Sequence, residues 1–108
     1  MQRYLYGRLR VEVDDRMVLI QPCRTTAALE AIPEQDLDLD IAALEPRLEA
    51  RGWEPRVNAR IMLIVRKEEE ATIFRNGRVL IKTQDLEVAR RVWDDLSPSL
   101  QEVSRAGR

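Results

Sequence analysis

Histidine is absent from this chain, and cysteine occurs once, at Cys23. The missing imidazole removes the commonest general acid/base and the commonest metal ligand. One thiol cannot form an intramolecular disulfide. With no histidine to act as its base, Cys23 reads as a buried or half-buried side chain and not as a nucleophile. The four glycines, Gly7, Gly52, Gly77 and Gly107, are scattered. Neither a dinucleotide fingerprint nor a Walker-type phosphate loop can be built from them. No apolar run approaches the ~20 residues that a bilayer requires, and the N-terminus lacks the apolar stretch of a signal peptide. A reducing cytoplasm is therefore the expected compartment, with no membrane attachment and no cofactor.

Excess charge of one sign is also missing. Eighteen basic residues face nineteen acidic ones, for a net charge of −1. A chain that neutralises many phosphates usually carries a basic excess, so nucleic acid is a disfavoured partner. The 108 residues are 44% hydrophobic and 34% charged, the balance of one folded domain. Residues 1–98 are expected to form it, with 99–108 as a partly flexible tail holding one further turn around Leu100 and Val103.

Arg8 to Val13 alternate polar and apolar, the pattern of a half-buried strand. Asp14-Asp15 reads as a tight turn. Met17 to Gln21 forms a second short apolar run, closed by Pro22. Thr25 or Thr26 is placed to cap a short helix through Ile32. Leu37, Ile41, Leu44 and Leu48 lie on one helical stripe, with Asp38 or Asp40 as N-cap and Gly52 as the residue past the end. Pro46 either kinks that helix or delays its regular part to Glu45. Trp53 is expected to fold back onto the stripe.

Ala59 to Arg66 is the most apolar strand, apolar on both faces at its centre, as for a strand covered on both sides or by a partner such as a second copy. Ala71–Arg75 and Arg78–Thr83 are strands separated by Asn76-Gly77, a strong hairpin signal. A type I′ turn there needs positive φ at both central residues. Asp85 is placed to cap a last helix whose core face is Leu86, Ala89, Trp93 and Leu96, and Pro98 is expected to end it. The fold class is α+β: an antiparallel sheet, made of a hairpin plus a three-stranded meander, with two main helices on one face. In one register the first hairpin extends that same sheet.

Alternating Asp36, Asp38 and Asp40, and adjacent Asp94-Asp95, are read as caps and solvated faces. Arg60, Arg66, Arg75 and Arg78 read either as ordinary edge charge or as a docking surface for an acidic partner or phosphate. The run Ala71 to Lys82, followed by Asp85, Ala89 and Arg90, resembles the C-terminal region of ThiF/MoeB-type, ubiquitin-activating-like adenylyltransferases. Phe74, Gly77, Arg78, Ile81, Lys82, Asp85, Ala89 and Arg90 match. Asn76 stands where the family has an acidic residue, and the glycine after Lys82 is absent. The adenylation domain's glycine-rich loop, catalytic arginines and Cys-x-x-Cys zinc pairs are absent as well.

The resemblance implies an accessory domain without the enzyme. Such a domain would dock a ubiquitin-like sulfur carrier or an adenylyltransferase, with Phe74, Arg75, Asn76, Arg78, Arg60 and Arg66 as contact candidates. The hairpin-plus-helix order is also similar to the TATA-binding-protein half-repeat. The alternatives are a nucleic-acid-binding or regulatory domain using an arginine-rich sheet face, a small carboxylate enzyme, and a structural or oligomerisation domain.

Overall fold

The computed structural model describes residues 9–13, 16–22, 27–34 and 36–105. Their order is β1 (Leu9–Val13), β2 (Arg16–Pro22), β3 (Leu29–Pro33), α1 (Ile41–Ala50), β4 (Glu54–Ala59), β5 (Met62–Arg66), β6 (Glu70–Phe74), β7 (Val79–Ile81) and α2 (Leu86–Glu102). The strands form one antiparallel sheet in the order β1-β2-β3-β7-β6-β5-β4. The α+β class and the single helical layer are as expected. The first hairpin does extend the same sheet, through β3.

Strand alternation sorts the ladder residues into two faces. Ile20, Ala31, Val79, Ile73 and Leu63 lie in one cross-strand row, and Leu29, Ile81, Ala71 and Val65 in the next. Both rows are buried, in one core with Leu44 and Leu48 of α1 and Ala89, Trp93, Leu96 and Leu100 of α2. The other face carries Val57, Ile64, Thr72, Leu80 and Glu30 in one row and Met62 and Phe74 in another. None of these side chains is fully buried.

Several expectations are corrected. The segment ending at Ile32 is not a helix but β3, which hydrogen-bonds β2 on one side and β7 on the other. Period-two burial of Leu29 and Ala31 overrides its mild helical preference. Cys23, Thr25, Thr26, Gly7 and the Asp14-Asp15 turn lie outside the described residues. The apolar strand starts at Met62 and not at Ala59. Residues 54–59 are a separate edge strand, bulged at Arg56 and joined to β5 through Arg60 and Ile61. A proline and a bulge on that edge disfavour pairing with another chain. Leu63 and Val65 of β5 face the helices, while Met62 and Ile64 lie on the other face, so among the described residues the strand is covered on one side only.

Leu37 is not helical. Helix α1 starts at Ile41, and the Asp40 carboxylate caps it by accepting from Ala43 N. Gly52, at φ 95°, ends it. Gly52 N donates to Glu49 O and Trp53 N to Leu48 O, the two bonds of a Schellman stop. Trp53 is thereby turned back into the core. Pro46 lies within α1, and Pro98 lies within α2 and does not end it. Each is exposed, as is the residue four before it, Ala42 or Asp94. The lost bond then falls on the solvent side, where water satisfies the freed carbonyl. Beyond Pro98, Leu100 and Val103 are buried. Asp85 caps α2 as expected, accepting from Glu87 N and Val88 N.

Candidate functional site

The β6–β7 turn has three loop residues, Arg75, Asn76 and Gly77, where a two-residue type I′ turn was expected. Gly77 N donates to Phe74 O at 2.9 Å and Phe74 N to Arg78 O at 2.8 Å. Gly77 carries φ 97°, and the Asn76 carboxamide accepts from Arg78 N at 3.0 Å. This is a β-turn closed by a glycine bulge, the next most favoured hairpin solution. A Cβ at Gly77 would sit 2.8 Å from Leu37 Cδ1. The glycine therefore supplies both the backbone angle and the space into which Leu37 packs.

That packing anchors the segment before α1. Leu37 N donates to Asn76 O and Leu39 N to Arg75 O, at 2.8 and 2.9 Å. On its other side Asp40 N donates to Val103 O, and Arg105 N to Asp38 O. Three distant stretches meet here: the hairpin tip, the approach to α1 and the exit from α2. Their side chains form an ionic cluster. Asp38 Oδ1 accepts from Arg75 Nε at 3.1 Å and from Arg105 at 3.4 Å, and Arg105 also reaches Asp40 at 3.5 Å. The hydrogen bond from Arg75, then that from Arg105, hold the Asp38 carboxyl below the usual carboxylate range.

A cleft of about 260 Å³ opens beside this cluster. It is bounded by the first turn of α1, Asn58 of β4, Arg60 in the β4–β5 turn, Arg75 and Arg105. Across the same end of the sheet, on the uncovered face, Phe74 is half-buried next to Met62. Ile61 is 64% exposed at the β4–β5 turn, and Val57 is 45% exposed. Arg78 pairs with Glu30 on this face.

Of the six contact candidates, Arg60, Phe74, Arg75, Asn76 and Arg78 share this end of the sheet. Phe74 and Arg78 face outward, Arg75 turns to Asp38, and the Asn76 side chain holds the turn. Arg66 lies at the far end of β5, in register with Glu54 and Glu70. Sequence reasoning missed Ile61, which it put inside a strand, and Arg105, which it put in a tail.

A second polar cluster occupies the opposite end. Asp95 accepts from Arg51 at 2.9 Å, from the Trp53 indole N–H at 2.8 Å and from Lys67 at 3.2 Å. The Lys67 ammonium also lies 5.7 Å from the Trp53 ring centroid. Partial burial pushes the Asp95 carboxyl up, and the donors from Arg51, Trp53 and Lys67 outweigh it, leaving the group below its ordinary value. The adjoining cleft is smaller, about 160 Å³. No three Cys, Asp or Glu side chains among the described residues are grouped to hold a metal ion. No described helix is long and apolar enough to cross a membrane. No protein-family model matches the chain, nor does any curated protein or any solved structure.

Proposed function

We propose that the chain is a non-catalytic docking domain. It presents the uncovered sheet face, at the end bearing the β4–β5 and β6–β7 turns, to a protein partner with acidic groups around an apolar spot. The observation that carries this reading is Ile61, 64% exposed at a turn tip. It precedes half-buried Met62, which pairs with half-buried Phe74, and Arg60, Arg75 and Arg78 lie at the same end of the sheet. A single exposed isoleucine is ordinary. An exposed isoleucine continuous with an apolar sheet row and bordered by arginines has the apolar centre and charged rim of an interface.

The resemblance of the Phe74–Lys82 run indicates the partner's class: a ubiquitin-like sulfur carrier, or the adenylyltransferase that activates it. Charge favours a protein over nucleic acid. Arg66 sits between Glu54 and Glu70, and Arg78 is paired with Glu30, so the sheet face is not a continuous cationic track.

The test is calorimetric titration with a ubiquitin-like carrier and an adenylyltransferase encoded beside the chain. A dissociation constant of about 1–100 μM is expected for one of them. Ile61→Asp, a turn substitution that leaves the core untouched, should abolish binding. Absence of binding to both at high micromolar concentration overturns the reading.

A further inference from the structure

We infer that the cleft between the first turn of α1 and the two hairpin turns is a binding site for a phosphate dianion. The inference rests on guanidinium groups converging from three separate places in the chain. Arg60 comes from the β4–β5 turn, Arg75 from the β6–β7 turn and Arg105 from the exit of α2, and all three line one cavity of about 260 Å³. Arginine forks match the geometry of phosphate oxygens. Asn58 adds a carboxamide at the same wall. Its side chain already donates one N–H to Glu45, leaving the second N–H to donate to an anion. The Ile41 and Ala42 amides, which have no intrahelical acceptor, contribute further but do not make the site by themselves.

The charge balance selects the ligand. Arg75 and Arg105 are already engaged by Asp38 and Asp40. Arg60 has no carboxylate partner among the described residues. Three guanidiniums and one carboxylate, Asp40, line the cleft, while Asp38 and Glu45 stand behind it, bonded to Arg75, Arg105 and Asn58. A ligand carboxylate would meet Asp38 and Asp40 as equals and displace neither. A phosphate, with a charge of about −1.5 to −2 near neutral pH, engages Arg60 and draws on the other two forks at once. The cavity has room for the tetrahedral group and a small substituent, so the anion can enter free or as a monoester.

The cleft shares Arg60 and Arg75 with the docking end, but Ile61 and Phe74 do not line it. Ile61→Asp should therefore abolish partner binding and leave phosphate binding intact, so that the two readings fail separately.

The test is an amide-shift titration of the whole chain with inorganic phosphate, glycerol phosphate and acetate, at constant ionic strength. Phosphate should produce saturable shifts at Ile41, Ala42, Asn58 and Arg60, with a dissociation constant of about 1 mM or tighter. Acetate should produce none. Tighter binding of glycerol phosphate identifies an esterified ligand and equal affinity the free anion, and either supports the site. Arg60→Ala, in an exposed turn, should weaken phosphate binding by about tenfold. Arg66→Ala, at the far end of β5, should leave it unchanged. Linear shifts without saturation, equal shifts in acetate, or an unaltered Arg60→Ala variant would each overturn the inference.

Discussion

Asp95 and Asp38 hold opposite ends of the molecule, and they do so differently. Asp95 is 28% exposed and gathers an indole, a guanidinium and an ammonium from α1's exit and the β5–β6 turn. Its donors converge on the one carboxylate, and one of them is the N–H of a buried tryptophan. Asp38 is 40% exposed and pairs with two arginines that are themselves about half exposed. Beside it Arg60 is left over, and a cleft remains open. The backbone, not the ion pairs, joins the elements at this end, through Leu37, Leu39, Asp40 and Arg105. A polar cluster gathered on a buried indole works for the fold. One whose members are all about half exposed, beside an arginine with no carboxylate partner among the described residues, is free to work for a ligand.

The sharpest break in this contrast comes at Trp53. It is buried, and its indole N–H is bonded to Asp95. Trp53→Ala should lower unfolding free energy by about 3–5 kcal/mol, read from urea denaturation. Asp95→Ala should follow, at about 1–3 kcal/mol, because it leaves the buried indole donor without an acceptor. Acid should reproduce part of that loss. The folded Asp95 value lies below the unfolded one, so its contribution is complete above the unfolded value of about 3.9 and fades as pH falls through the folded one. Thermal melts should hold steady from neutral pH down to about pH 5 and then drop, with a shallower drop in Asp95→Asn. An equal drop in both proteins would show that this end is held by packing alone.

At the other end the largest effect should come from the backbone. Gly77→Ala forces a Cβ onto Leu37 at 2.8 Å in a left-handed conformation, φ 97°. The expected loss is about 1 kcal/mol or more. Amide exchange should quicken at Leu37 and Leu39, whose donors bond the turn.

These two ends were not equally legible in the sequence. Gly52 and Trp53 announced a helix stop and a folded-back ring, because a Schellman stop is written in adjacent residues. Asp85 and the Leu86–Leu96 face were equally local. Asn76-Gly77 located the hairpin, but the loop has three residues because the ladder is set by Ile73 opposite Val79. That register depends on the neighbouring strands and not on the dipeptide. Strand β3 was missed because a five-residue strand flanked by small and polar residues carries too little periodicity to reveal a central position. The cleft was missed for a related reason. Arg60, Arg75 and Arg105 meet only after the sheet and α2 have brought two turns and a helix exit together, and no spacing encodes that. Pro98 misled because proline stops a helix only where its lost bond cannot be taken up by water.

The smallest expected change in stability is at Asp38, and there the comparison turns on sign. Asp38→Asn removes a carboxylate whose two arginine bonds are exposed and salt-screened. The urea midpoint should stay within error of the parent protein at physiological salt. The substitution also strips negative charge from the edge of the cleft and frees Arg75 and Arg105 to turn toward an anion. Phosphate affinity should therefore rise a few fold in Asp38→Asn, while Asp95→Asn, which costs stability, should leave it unaltered. If Asp38→Asn instead destabilised the chain and weakened phosphate binding, its carboxylate would be positioning the arginines and not competing for them. The two ends of the molecule would then be built on the same plan.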